Sequence, residues 1–147
     1  MSGYSKKSLH AYEGQFGEVL ARKYLQKEGF EVWSYMVLVQ LIKHSLMPGI
    51  VTHAHDFLGS KKQDFIEMNK TLDQIYSGKE HKRRRFDFIA KKEDKYYVVE
   101  VKTNKAILTK FQKEDLQLSK KFGFIPILVR TKVKLIADYK NVTITTL

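Results

Sequence analysis

Residues 83–105, RRRFDFIAKKEDKYYVVEVKTNK, constrain the fold more than any other part of the chain. Two runs rich in aromatic and β-branched residues flank a polar stretch at 91–95, a pattern that predicts a β-hairpin with a five-residue turn. The second run, 96–103, is apolar on both faces, as a strand covered on both sides should be. Glu100 and Lys102 are set into that run. Residues two apart on a strand share a face, so these two point one way while Val99 and Val101 point the other. A buried charge costs several kcal/mol unless it is paired or binds a cation. A packed sheet has no need of an acid and a lysine in its best strand, whereas chemistry does.

The hairpin brings Asp87 beside the second strand, close to Glu100. Two neighbouring carboxylates repel, and a divalent cation between them removes the repulsion. Mg²⁺ takes hard oxygen ligands, commonly one or two carboxylates with water and a substrate phosphate. The candidate ligands are Asp87, Glu100 and the Val101 backbone carbonyl. Lys102 would orient or help deprotonate the attacking water and steady the phosphate. The competing reading is structural: an Asp87–Lys102 ion pair, with Glu100 at a solvated strand end.

The chain has 147 residues, enough for one α/β domain, and 43% of them are hydrophobic. No apolar run is long enough to span a bilayer, and the N-terminus lacks the apolar stretch of a secretory signal. Zero cysteines exclude disulfides, zinc–thiolate sites and cysteine-ligated iron–sulfur clusters. A soluble, cytoplasmic protein with no membrane partner is the expectation. Lys and Arg number 27 against 16 acids, a net charge of +11. Such a surface suits a polyanion, and nucleic acid is the commonest one.

Residues 1–10 read as a basic arm, and 11–28 as a helix closed by Gly29 in the left-handed cap conformation. Phe16, Val19, Leu20 and Tyr24 form the predicted apolar stripe of that helix. Glu18 lies on its flank. Gly14 and Gly17 weaken the helix but allow close approach to a sheet or a phosphate, which would deliver Glu18 to the site. Alternatively, Glu18 is a surface acid paired with Arg22 at i+4.

Asp87, Glu100-Val101-Lys102 and the helix residues Gly14, Gly17-Glu18, Ala21, Tyr24-Leu25 and Gly29-Phe30 together resemble the PD-(D/E)XK, restriction-endonuclease-like nucleases. They are most similar to the archaeal-type Holliday junction resolvases. Phe86 stands where the motif often has proline. The resemblance covers about 12–33 and 82–130. It implies an α/β fold with a restriction-endonuclease-like core, a central mixed β-sheet flanked by helices. It also implies a Mg²⁺-dependent endodeoxyribonuclease, with Mn²⁺ able to substitute, acting in DNA recombination. Asp87, Glu100, Val101 and Glu18 would hold the metal, and Glu18, Asp87, Glu100 and Lys102 would carry catalysis. The resemblance further implies a branched DNA substrate cut by a homodimer, with Gln117 near the active centre. An exonuclease or linear-duplex nuclease with the same active site, and a non-catalytic nucleic-acid-binding protein, are the alternatives.

The basic run His81-Lys82-Arg83-Arg84-Arg85 directly precedes Asp87. Arg83, Arg84 and Arg85 are the expected phosphate contacts, with Lys105 beyond the second strand. A merely solvated basic face is the alternative.

Between the first helix and this run, residues 35–80 read as a mostly helical insertion in a single 1–147 domain. A strand is predicted at 30–34. Residues 36–47 fit either a strand or a buried helix. Residues 64–76 fit a helix whose shared face carries Phe65, Met68, Leu72 and Ile75. His53-Ala54-His55 reads as a polar loop, and would offer a metal two ligands only if extended. After the hairpin, 108–122 reads as an amphipathic helix and 124–130 as a strand, with Pro126 marking an edge or bulge. Further strands are predicted at 133–139 and 142–147.

Overall fold

The computed structural model describes residues 6–44, 47–77, 86–135 and 143–146. Its elements run α1 Lys6–Lys27, β1 Glu31–Ser34, α2 Tyr35–His44, α3 Pro48–Leu58, α4 Lys62–Tyr76, β2 Phe88–Lys92, β3 Lys95–Thr103, α5 Lys110–Lys121 and β4 Ile125–Thr131. The four strands form one mixed sheet in the order β1-β2-β3-β4. β2 pairs antiparallel with both β1 and β3, and β4 lies parallel to β3. The chain is therefore α/β, with a central mixed sheet flanked by helices.

The predicted hairpin forms, but its turn is tighter than the polar run suggests. Lys91 and Lys92 belong to β2 and Lys95 to β3, which leaves Glu93 and Asp94 as the turn. Both have positive φ, 52° and 62°. Two-residue hairpin turns need this conformation to match the twist of the strands, and Asn-Gly supplies it at least cost. Glu-Asp is a weak signal for such a turn, so the sequence reads as a longer loop.

β3 is buried on both faces from Val98 to Val101. Side chains alternate, so Tyr96 and Val98 enter one core while Val99 and Val101 enter the other. The first core lies under α2, α3, α4 and α5. Twelve of its eighteen buried residues, from Tyr35 to Tyr76, come from the predicted insertion. That segment is helical as expected, and it is the main covering of one sheet face rather than an appendage. Residues 36–47, open between strand and helix, fall largely within α2. α4 buries Phe65, Met68 and Leu72, but Asn69 and Tyr76 complete its inner face, and Ile75 is exposed. Three buried tyrosines tie this core together through their hydroxyls. Tyr35 donates to Asn69 Oδ1 at 2.7 Å, Tyr76 to Asp115 Oδ1 at 2.7 Å, and Tyr96 to the Phe57 carbonyl at 2.6 Å. Each satisfied hydroxyl avoids the cost of about 1–3 kcal/mol that an unpaired buried polar group carries.

The second core is smaller: Ala21 and Leu25 of α1 pack on Val32, Phe88, Ala90, Val99 and Val101. α1 does not bury Phe16, Val19, Leu20 and Tyr24, all of which are exposed; it buries Glu13, Gly17, Ala21 and Leu25. Close approach to the sheet decides this. A Cβ on Gly17 would collide with the hydroxyl oxygens of Thr103 and Thr131, so only a small-residue face fits there. α1 also begins earlier than predicted, at Lys6, taking up part of the expected arm. Gly29 caps its far end with φ 93°, as expected.

α5 starts at Lys110, capped by Thr109. The Thr109 hydroxyl accepts from Gln112 N, and Gln112 Oε1 accepts from Thr109 N. It buries Asp115, Leu116 and Ser119, while Phe111 is exposed. β4, with Pro126, is an edge strand of the sheet, as the proline suggests. Residues 133–135 and 143–146 form no strand. The remainder of those two predicted strands, and Arg83, Arg84 and Arg85, lie outside the described residues.

Candidate active site

The end of β3 and the start of α1 enclose a cleft of about 720 Å³. α1 contributes His10, Glu13, Gly14 and Glu18, and the chain from Val101 to Ala106 contributes the opposite wall. Glu18 and Lys102, predicted as site residues from separate parts of the sequence, therefore line one cavity. Both are half-buried. Lys105 lines it too. The alternative role for Glu18, a surface pair with Arg22, is not what Arg22 does. The guanidinium of Arg22 donates to the Val32 carbonyl at 3.1 Å and lies over the Phe88 ring.

Asp87 precedes β2 and is bound to β3 twice. Its backbone N–H donates to the Val99 carbonyl at 3.0 Å, and its Oδ2 accepts the Val101 N–H at 2.7 Å. The acid thus brackets Glu100, holding the residues on either side of it. Its own carbonyl accepts from Tyr35 N, which fixes the β1–α2 junction to the same point. Among the described residues Asp87 Oδ1 meets no hydrogen-bond donor. No Asp87–Lys102 ion pair occurs among the described residues, whose ion pairs are Lys43–Asp73 and Lys61–Asp64. Glu100 is 4% exposed and engaged rather than free. The structural reading of a solvated Glu100 beside an Asp87–Lys102 pair is thereby overturned.

The three predicted acids are not drawn into one cluster. Among the described residues, no three Asp, Glu or His side chains converge closely enough to hold a metal ion. Asp87 adjoins the cleft through Val101, which lines it, and Glu18 and Lys102 stand in its walls. His53 and His55 lie within α3, not in an extended loop. Two residues apart on a helix they diverge, so they do not form the two-ligand set an extended chain would give. Gln117 is exposed on α5 and lines a separate groove of about 410 Å³ with Tyr76 and Phe111, away from the cleft.

Two cleft residues escape a reading of the sequence. Asn104 takes a left-handed conformation, φ 59°, directly after β3. Its N–H donates to the Thr131 carbonyl, its Nδ2 to Glu13 Oε2 at 3.1 Å and to the Val133 carbonyl at 2.8 Å, and its Oδ1 accepts from Val133 N. One side chain thus fastens the end of β3 to α1 and to the chain after β4, two residues beyond Lys102. Asparagine tolerates this backbone better than most residues, and that is the only local signal the sequence carries. Glu13 carries none.

No protein-family model matches the sequence, and neither a curated protein nor a solved structure matches it.

Proposed function

We propose that this chain is a divalent-metal-dependent DNA endonuclease with a restriction-endonuclease-like core, selective for branched DNA. The observation that carries this reading is the 2.7 Å hydrogen bond from Val101 N–H to Asp87 Oδ2, which holds one predicted acid against the strand bearing Glu100 and Lys102. The order helix, three antiparallel strands, helix and parallel strand, given by α1, β1, β2, β3, α5 and β4, supports the fold assignment. The net charge of +11 supports a polyanionic substrate.

The donor set suits Mg²⁺, because it offers hard carboxylate oxygens and no thiolate, and this ion needs only one or two carboxylates. Asp87 Oδ1 and the Glu100 carboxylate would hold it, and Glu18, on the α1 side of the sheet, would act through water. When bound, a divalent cation supplies Lewis-acid polarisation of the phosphate and a more acidic water. Lys102 orients the attacking water and balances charge gained by the phosphate. Water oxygen bonds to phosphorus as the ester P–O bond opposite it breaks, so the products are a phosphate monoester and a free hydroxyl. Asp87's bond to Val101 keeps the carboxylate from swinging away.

The test uses labelled four-way junction, flap, duplex and single-stranded DNA with Mg²⁺ or EDTA. Mg²⁺-dependent internal cleavage, fastest on the junction, is expected. Asp87→Asn should abolish cleavage while binding in EDTA stays equal or tightens, since one negative charge facing phosphate is gone. DNA binding without cutting in any metal would make the chain a pure binder. Cutting only from ends would make it an exonuclease.

A further inference from the structure

We propose that the pocket between α2 and α4 binds a small organic acid, whose apolar body lies among Val39, Ile42, Phe65 and Ile66 and whose carboxylate accepts from Asn69. The pocket measures about 350 Å³, within the range of about 300–1,000 Å³ usual for small-ligand sites. It belongs to the sheet face under the larger core and shares no residue with the cleft that holds Lys102.

The donor in this pocket is fixed in advance. Asn69 is 5% exposed, and its Oδ1 accepts from the Tyr35 hydroxyl at 2.7 Å. Tyr35 is itself fully buried against the rings of Phe65 and Phe86, so the bond holds the carboxamide in place. Asn69 Nδ2 has no partner among the described residues. That nitrogen is not sealed in the core, and the pocket that Asn69 lines opens onto it. Serving Tyr35 requires only an acceptor, which an aspartate would supply equally well. The donor half of the amide is left over for an oxygen in the pocket. Water can occupy that place in the free protein, and a ligand oxygen replaces it. A side chain already fixed loses little freedom when the ligand arrives.

Charge at the mouth selects an anion. Lys43 lies 3.1 Å from Asp73, and the two neutralise each other. Lys70 follows Asn69 on α4, is exposed, and has no ion pair among the described residues. One ammonium and one amide N–H therefore stand together without an acceptor. The remaining walls are apolar and give no donor, so the ligand has one polar end. A dianion would keep a charge unmatched beside those walls. A monocarboxylate on an aryl or aliphatic body matches both the walls and the donors.

The experiment titrates phenylacetate into the isotope-labelled full chain, without DNA or metal, and follows amide resonances by NMR. The side-chain NH₂ pair of Asn69, identified by its absence from Asn69→Asp, should shift and saturate with a Kd of about 1 mM or below. Phenylethanol carries the same ring without the charge and should bind at least about threefold more weakly. Asn69→Asp keeps an acceptor for Tyr35 but puts a like charge where the donor was. It should weaken phenylacetate at least about tenfold. Lys70→Gln, on the surface, should weaken it about twofold to fivefold with an unchanged thermal transition. Absence of saturation up to about 10 mM phenylacetate overturns the proposal. So does phenylethanol binding as tight as phenylacetate. Unchanged affinity in Lys70→Gln overturns it too, and that variant decides the matter should Asn69→Asp fail to fold. None of these readouts depends on nuclease activity.

Discussion

Among the described residues, one face of the sheet lies under α2, α3, α4 and α5, and the other lies under α1 alone. Among the described residues the thick side buries eighteen, with aromatic rings in mutual contact, such as Tyr35 against Phe65 and Phe86. The thin side has seven, mostly small or β-branched. Most of the buried core lies on the first side, and Glu18 comes from the second. α1 crosses the sheet on Gly17 and Ala21, close enough for Glu18 to reach the wall of the cleft that holds Lys102. A thicker layer of large side chains would hold the helix further off. The small residues of the thin face let α1 lie close to the sheet, with Glu18 in the wall of the cleft at the end of β3.

The first way to test this division is to weaken the thick side. Leu72 is fully buried among the helices and does not line the cleft. Leu72→Ala should cost about 2–5 kcal/mol, the lost transfer energy plus the cavity left behind. Urea unfolding reads it as a lower midpoint with the same slope. Below that midpoint the per-molecule cleavage rate should be normal. A rate loss in folded protein would mean that the two faces are coupled more closely than their separate cores suggest.

The converse experiment is Glu18→Gln. On the proposed function, removing this carboxylate should slow cleavage at least about a hundredfold, equivalent to about 3 kcal/mol in the barrier. Stability should move by no more than about 0.5 kcal/mol, because the residue is half-buried and the change keeps its shape. Single-turnover cleavage beside a thermal melt decides it. A fully active variant would remove Glu18 from the proposed mechanism.

The hairpin was legible because β3 is a nearly unbroken apolar run with two charges two residues apart, and nothing but a strand accounts for that pattern. α4 was legible from its 3.6-residue repeat. α1 misled for a physical reason. Phe16, Leu20 and Tyr24 repeat with the period of a buried stripe, but periodicity cannot tell a face that packs from one that stays exposed. The decisive residue was Gly17, whose missing side chain carries no hydrophobic signal. His53 and His55 read as a loop because α3 opens at Pro48-Gly49, a pair that also signals a turn. Proline at the first helical position favours a helix start as well, and here that role holds. Asn104 and Glu13 could not be found by pattern, since they meet across ninety-one positions of sequence.

The smallest predicted effect compares the two glycines of α1. Both lie in a helix, where glycine costs about 1 kcal/mol relative to alanine through backbone entropy. Propensity alone predicts that Gly14→Ala and Gly17→Ala stabilise the protein equally. Packing predicts opposite signs. A Cβ at Gly17 meets Thr103 Oγ1 and Thr131 Oγ1, which hydrogen-bond each other at 2.9 Å. Neither short side chain can retreat without breaking that bond, so Gly17→Ala should destabilise by about 1–3 kcal/mol despite the better helix former. A Cβ at Gly14 meets nothing within 4 Å, because the position opens on the cleft. Gly14→Ala should therefore stabilise by about 0.5–1 kcal/mol. Chemical denaturation of the two variants beside the native protein reads both signs. If both variants gain stability, α1 does not rest on the sheet through Gly17, and the account of why its aromatic residues face outward fails with it.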